Sequence, residues 1–224
     1  MQKSLRFPRG LYGITPEWQD TARLLDAIRA AHAGGMQVLQ WRCKSSPSTA
    51  HAHQHQRTAV IDLCAELHLP LIMNDDWQLA RDLQTAGAHL GRDDGILAEA
   101  RAGLAAGQWL GCSCYDQPAL AEQGLKLGVD YVAFGTAYVS GIKPDAARAT
   151  LDTYRQGRQL CEQYSSAHSR AAVVAIGGIT AANAAPLIAA GVDSIAVISG
   201  LFEAPDVYAE AQALSRLFNS SIQH

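Results

Sequence analysis

Eight short apolar runs, each followed by a longer segment of helical character, constrain this chain more than any other feature. The runs are Leu11–Thr15, Met36–Arg42, Leu69–Met73, Ala88–Leu90, Trp109–Ser113, Tyr131–Gly135, Val173–Ile176 and Ser194–Ile198. The helical segments are Thr21–Ala33, Thr49–His68, Trp77–Ala86, Ile96–Ala105, Asp116–Leu127, Arg148–Tyr164, Ala181–Ala189 and Ala204–Phe218. Strands that are apolar on both faces belong in a parallel sheet covered by helices. Eight strand–helix units in 224 residues match the small end of the α/β class of single (β/α)8 TIM barrels, roughly 200 residues. An open doubly wound sheet is the alternative. Glycines such as Gly128 and Gly191 close helices just before strands, where a left-handed cap is expected. No linker interrupts the pattern, so residues 1–224 are expected to form one domain, with residues 1–10 and 219–224 as flexible ends.

The hydrophobic fraction of 48% is enough for a large core, and the formal charge of −3 lacks the excess of positive charge that nucleic-acid or membrane-surface binding requires. No apolar stretch approaches the ~20 residues of a membrane span. Five cysteines without small-scaffold spacing fit reduced thiols and a cytoplasmic setting. The oligomeric state stays open, a homo-oligomer included.

In a barrel, chemistry gathers just beyond the C-terminal end of each strand. The second run ends in Gln40-Trp41-Arg42-Cys43-Lys44. Side chains two apart on a strand share a face, so Gln40, Arg42 and Lys44 are expected to point one way and to suit a polyanion such as a pyrophosphate. Asp75 and Asp94 follow neighbouring strands and can supply hard oxygen ligands to Mg²⁺, with phosphate oxygens completing the shell. Asp75 or Asp76 could equally cap the following helix. Gly177-Gly178, before a helix expected near Thr180, offers backbone N–H groups to a phosphate, and Ser199-Gly200 would add donors. The loop Ser140-Gly141-Ile142-Lys143-Pro144 could close over a ligand. His51, His53 and His55 lack a third ligand on one helix face, and Cys112 and Cys114 read as small core residues. His89 reads as a structural residue that fixes a strand end.

These residues, in this order, resemble the thiamine-phosphate synthase family from Leu11 to Ser199. The family's Gln-x-Arg-x-Lys matches Gln40, Arg42 and Lys44. Its Asn-Asp matches Asn74 and Asp75, and its His-x-Gly-x-x-Asp matches His89, Gly91 and Asp94. Gly-x-Ser matches Gly111 and Ser113. Phe-Gly with a downstream lysine matches Phe134, Gly135 and Lys143. Gly-Gly-Ile and a terminal serine match Gly177–Ile179 and Ser199. The resemblance implies condensation of hydroxymethylpyrimidine diphosphate with thiazole phosphate, giving thiamine phosphate and pyrophosphate. It further implies that Lys143, Arg42 and Ser113 serve the departing group. The pyrimidine diphosphate would lie against Gln40, Arg42, Lys44, Asn74, Ser113 and Lys143, and the thiazole phosphate against Ser140, Ile142, Gly178, Ile198 and Ser199. Mg²⁺ would sit on Asp75 and Asp94.

The chain departs from the family at five places. Ser140 and Ile142 stand for loop threonines, Thr136 and Val139 for prolines, and Arg92 for a glutamine. Two other functions would use the same rim: a thiazole tautomerase-like isomerisation, and non-catalytic binding of thiamine phosphate. The tautomerases lack the second metal-binding aspartate, which is present here as Asp94.

Overall fold

The structure, a computed structural model, describes residues 3–43, 50–139 and 148–219, with no account of the side chains of residues 50–52. In chain order the elements are β1 (Ser4–Leu5), β2 (Gly10–Ile14), α1 (Thr21–Ala33), β3 (Met36–Trp41), α2 (Ala50–Glu66), β4 (Leu71–Asn74), α3 (Trp77–Asp82), β5 (Gly87–Leu90), α4 (Leu97–Gly103), β6 (Trp109–Tyr115), α5 (Pro118–Lys126), β7 (Tyr131–Gly135), α6 (Leu151–Gln163), β8 (Ser169–Arg170), β9 (Ala172–Ile176), α7 (Ala185–Ala189), β10 (Ser194–Val197), α8 (Ser199–Phe202) and α9 (Val207–Asn219). Eight parallel strands close a barrel in the order β10-β2-β3-β4-β5-β6-β7-β9. The expected TIM barrel is therefore the fold, and the open sheet is excluded.

Strand alternation sorts the apolar residues into two cores. Leu11, Leu39, Leu71, Ala88, Cys112, Cys114, Phe134 and Val173 face outward and pack under the helices. Tyr12, Ile14, Val38, Ile72, Tyr131, Ala133, Val174 and Ala196 fill the barrel's interior with Phe7. Cys112 and Cys114 are thus core residues, as expected. None of the five cysteines forms a disulfide, and burial pushes the thiols of Cys64 and Cys161 up to about 12, which makes them unreactive.

Residues 3–10, expected within a flexible end, are instead built into the fold. Ser4–Leu5 pairs in parallel with Ser169–Arg170. Phe7 is buried, its ring 4.1 Å from that of Tyr131 and 5.4 Å from that of Trp109. Both neighbours open their strands, so Phe7 stoppers the end of the barrel away from the strand C-termini. Hydrophobic burial outweighs the entropy of ordering these residues.

The helix expected over Ala181–Ala189 is only Ala185–Ala189. Thr180–Ala184 forms a hydrogen-bonded turn, with Thr180 N–H donating to Asn183 Oδ1 (2.9 Å) and Asn183 Nδ2 donating to the Gly178 carbonyl (2.9 Å). An unexpected four-residue helix, α8, follows β10 directly.

Candidate active site

The strand C-termini form the rim of the candidate site, and the top of the interior is its floor. Asn74, His89, Gly111 and Tyr131 lie on one line of register across β4 to β7. A register shift follows Ser113 in β6, a distortion that re-aims side chains at barrel rims.

Gln40 does not join a cationic row at the rim. Its side chain is buried, and Nε2 donates to Tyr12 Oη at 2.7 Å. Strand β3 stops at Trp41, so Arg42 leaves the sheet. Its backbone is gripped by Thr15: Arg42 N–H donates to Thr15 Oγ1 (2.9 Å), and the same hydroxyl donates back to the Arg42 carbonyl (3.2 Å). The Arg42 guanidinium donates to Glu17 Oε1 at 2.8 Å. The shared face expected of Gln40 and Arg42 is thus split, because strand geometry ends between them. Lys44, the third member, lies outside the described residues, as do Ser140, Ile142 and Lys143 of the loop.

The two uses foreseen for the acidic pair are divided. Asp76 caps α3, its Oδ1 accepting from Leu79 N–H at 2.8 Å. Asp75 precedes it with φ of 66°, and its N–H donates to the His89 carbonyl on the neighbouring strand (2.8 Å). Asp94 folds back across the β5–α4 turn, its Oδ2 accepting from Gly91 N–H at 2.8 Å. Both carboxylates therefore attach to the turns beyond adjacent strands β4 and β5. Nearby, the Arg92 guanidinium lies 4.9 Å from the centre of the Tyr115 ring. Among the described residues, no group of three or more His, Cys, Asp or Glu side chains gathers as a metal centre.

On the other side of the rim, the turn after β9 meets the start of α8. Gly178 has φ of +62°, and a β-carbon there would lie 2.6 Å from the Val139 carbonyl oxygen, so the position requires glycine. A β-carbon on Gly200 would lie 2.4 Å from the Ile179 carbonyl oxygen. Ile179 and Gly200 are thereby brought into contact, while the helix expected to begin near Thr180 and direct N–H groups at a phosphate starts only at Ala185.

Chain pattern alone missed what lies beneath. Ser113 Oγ is 2.9 Å from His89 Nε2, and His89 Nδ1 is 3.1 Å from Tyr131 Oη. Tyr131 Oη is 3.0 Å from Tyr12 Oη. His89 does fix a strand end by hydrogen bonds, and it also links the rim to the interior. Burial pushes its imidazole down to about 4 against the opposing charge of Asp94, so it is neutral near pH 7. Burial likewise raises both phenols, which keeps them protonated. The available signal was two tyrosines at inward positions of strands, since a buried phenol needs a partner.

The sequence model described as thiamine monophosphate synthase matches residues 11–201. The chain belongs to the thiamine monophosphate synthase family. The thiamine-phosphate synthase of Bordetella pertussis is 51% identical over 217 residues, covering 97% of this chain and 98% of its own. That of Thiobacillus denitrificans is 48% identical over 212 residues, covering 95% and 96%. The solved thiamine phosphate pyrophosphorylase of Pyrococcus furiosus superposes with a TM-score of 0.78 at 27% identity, over 97% of this chain and 98% of that one. Among the described residues, no helix is long and apolar enough to cross a membrane.

Proposed function

We propose that this chain is a thiamine-phosphate synthase, an enzyme that joins hydroxymethylpyrimidine diphosphate to thiazole phosphate with release of pyrophosphate. The observation that carries this reading is the family match over residues 11–201, with a thiamine-phosphate synthase 51% identical over 97% of this chain, on a closed eight-stranded parallel barrel. The C–O bond to the diphosphate breaks and its electron pair leaves with the pyrophosphate. The methylene carbocation left behind then takes the lone pair of the thiazole nitrogen. No general base is needed, because that nitrogen arrives with its lone pair.

The protein's task is to stabilise charge that grows on the departing oxygens. Arg42, Lys44, Lys143 and the Ser113 hydroxyl take the diphosphate in this reading, and Asn74 and Gln40 orient the pyrimidine. Gly178, Ile198 and Ser199, with Ser140 and Ile142, take the thiazole phosphate. The donors of Asp75 and Asp94 are all oxygens on adjacent turns, a set suited to a hard divalent cation that keeps waters and phosphate ligands. These two residues would hold Mg²⁺, which when bound supplies positive charge to the diphosphate. Five cysteines without a disulfide among them support a cytoplasmic setting.

Mixing the two substrates with Mg²⁺ and following thiamine phosphate and pyrophosphate tests the reading. Product that requires both substrates is expected. Isomerisation of the thiazole compound alone, or tight binding of thiamine phosphate without turnover, would replace it.

A further inference from the structure

We propose that Tyr131 is a positioning residue which, acting through His89, turns the Ser113 hydroxyl outward as a hydrogen-bond donor to the departing diphosphate. The role of the anion rests on the function proposed above. Five polar groups form one unbroken chain through the barrel, from β3 to β6. Gln40 Nε2 donates to Tyr12 Oη (2.7 Å), Tyr12 Oη meets Tyr131 Oη (3.0 Å), Tyr131 Oη meets His89 Nδ1 (3.1 Å), and His89 Nε2 meets Ser113 Oγ (2.9 Å).

Each hydroxyl carries one hydrogen, and a neutral imidazole carries one on either nitrogen. The direction of the chain is therefore set from an end. Gln40 supplies the first hydrogen, so Tyr12 passes its own to Tyr131, and Tyr131 passes its own to His89 Nδ1. Nδ1 is then an acceptor, so the imidazole proton sits on Nε2 and is given to Ser113 Oγ. The hydrogen of Ser113 is left over for the mouth of the barrel. A chain running the other way would spend that hydrogen on Nε2 and turn a lone pair toward an anion. Bonds in such a chain also polarise one another in one sense.

Tyr131 is the link least open to ligand. It is fully buried, sits at the first position of β7, and stacks on His89 with ring centres 5.5 Å apart. Its hydroxyl bonds to Tyr12 and His89, and the imidazole carries its influence to Ser113.

The test reads the His89 tautomer by two-bond ¹H–¹⁵N correlation in full-length protein with ¹⁵N-labelled histidine. His89 is assigned by the signal lost in His89→Asn. We expect the Nε2–H tautomer at neutral pH, both free and with inorganic pyrophosphate and Mg²⁺. In Tyr131→Phe, Nδ1 loses its donor. A mixture of tautomers is expected there, with kcat for pyrophosphate release reduced about tenfold and KM changed by less. Gln40→Glu replaces the terminal donor with an acceptor, so it should reverse the chain and convert His89 to Nδ1–H. That variant keeps the proposal testable should Tyr131→Phe fail to fold. An Nδ1–H tautomer in an active wild-type enzyme overturns this inference alone. So does a Tyr131→Phe enzyme with unchanged tautomer and kcat, or a Gln40→Glu enzyme that keeps Nε2–H. A wild type that makes no thiamine phosphate overturns the proposed function, and the role of the anion falls with it.

Discussion

The ring of Tyr131 occupies the space that a side chain on Gly111 would need: a β-carbon there would lie 2.0 Å from Cζ. The two residues are register partners on β6 and β7. Because β6 is bare at this point, the phenol crosses it and reaches His89 on β5. The glycine of the Gly-x-Ser motif thus serves Tyr131, while the serine two residues on serves the rim.

Gly111→Ala should consequently be destabilising although the change is one methyl group. Overpacking of a filled interior costs about 1–3 kcal/mol, or roughly 2–12 °C in Tm for a domain of this size. Thermal melts of the two proteins check this, and an unchanged Tm would mean that the ring can move aside at no cost.

Glu17 holds the Arg42 guanidinium at 2.8 Å, with its own side chain 48% exposed. An exposed pair of this kind contributes about 0–1 kcal/mol to stability, yet the carboxylate competes with any anion for the arginine. Glu17→Gln is expected to lower KM for the diphosphate substrate by about two- to fivefold at low salt, and by less at high salt. A raised KM would show instead that Glu17 orients Arg42 productively.

Asp94→Asn can retain the bond from Gly91 N–H through its amide oxygen while losing the charge that would hold a metal. The Mg²⁺ concentration for half-maximal pyrophosphate release should rise at least about tenfold, with little change in the urea midpoint. A metal response like that of the wild type would remove Asp94 from the proposed ligands.

Acid should weaken the fold through His89. Burial depresses its folded pKa to about 4, below the ordinary histidine value of 6.5, so between those values the unfolded chain binds more protons. Stability is then complete above pH 6.5 and declines as pH falls toward 4, by at most about 3 kcal/mol from this group. Urea midpoints at pH 7.5 and 5 measure the decline. His89→Gln should lose less on acidification, and an equal loss in both proteins would place the acid sensitivity elsewhere.

Long periodic elements were legible because periodicity and caps agree. α1 runs over Thr21–Ala33 as expected, with Asp20 Oδ1 accepting from Arg23 N–H at 3.0 Å, and β7 spans Tyr131–Gly135. The missing pieces are short or nonlocal. β1 and β8 have two residues each and pair with each other across more than 160 residues of chain. α8 has four residues and no side-chain cap, so neither period nor capping chemistry announces it. The turn at Thr180–Ala184 replaces helix because Asn183 bonds back to Gly178 and Thr180, competition that apolar spacing does not reveal.

The same division runs through the site. Short apolar strands alternating with amphipathic helices allow few other closed packings, so the linear chain already determined the barrel and assigned Arg42, Asp75, Asp94, Ser113 and Gly178 to strand ends. Which of them share a partner is a question of distance between strands far apart in the chain. Only the closed barrel turned Gln40 inward onto Tyr12, gave Arg42 to Glu17, left Asp76 to cap a helix beside Asp75, and laid Tyr131 across Gly111. The reason is physical: period sets which face a residue occupies, whereas buried polar groups choose partners according to what the folded barrel brings within hydrogen-bonding reach.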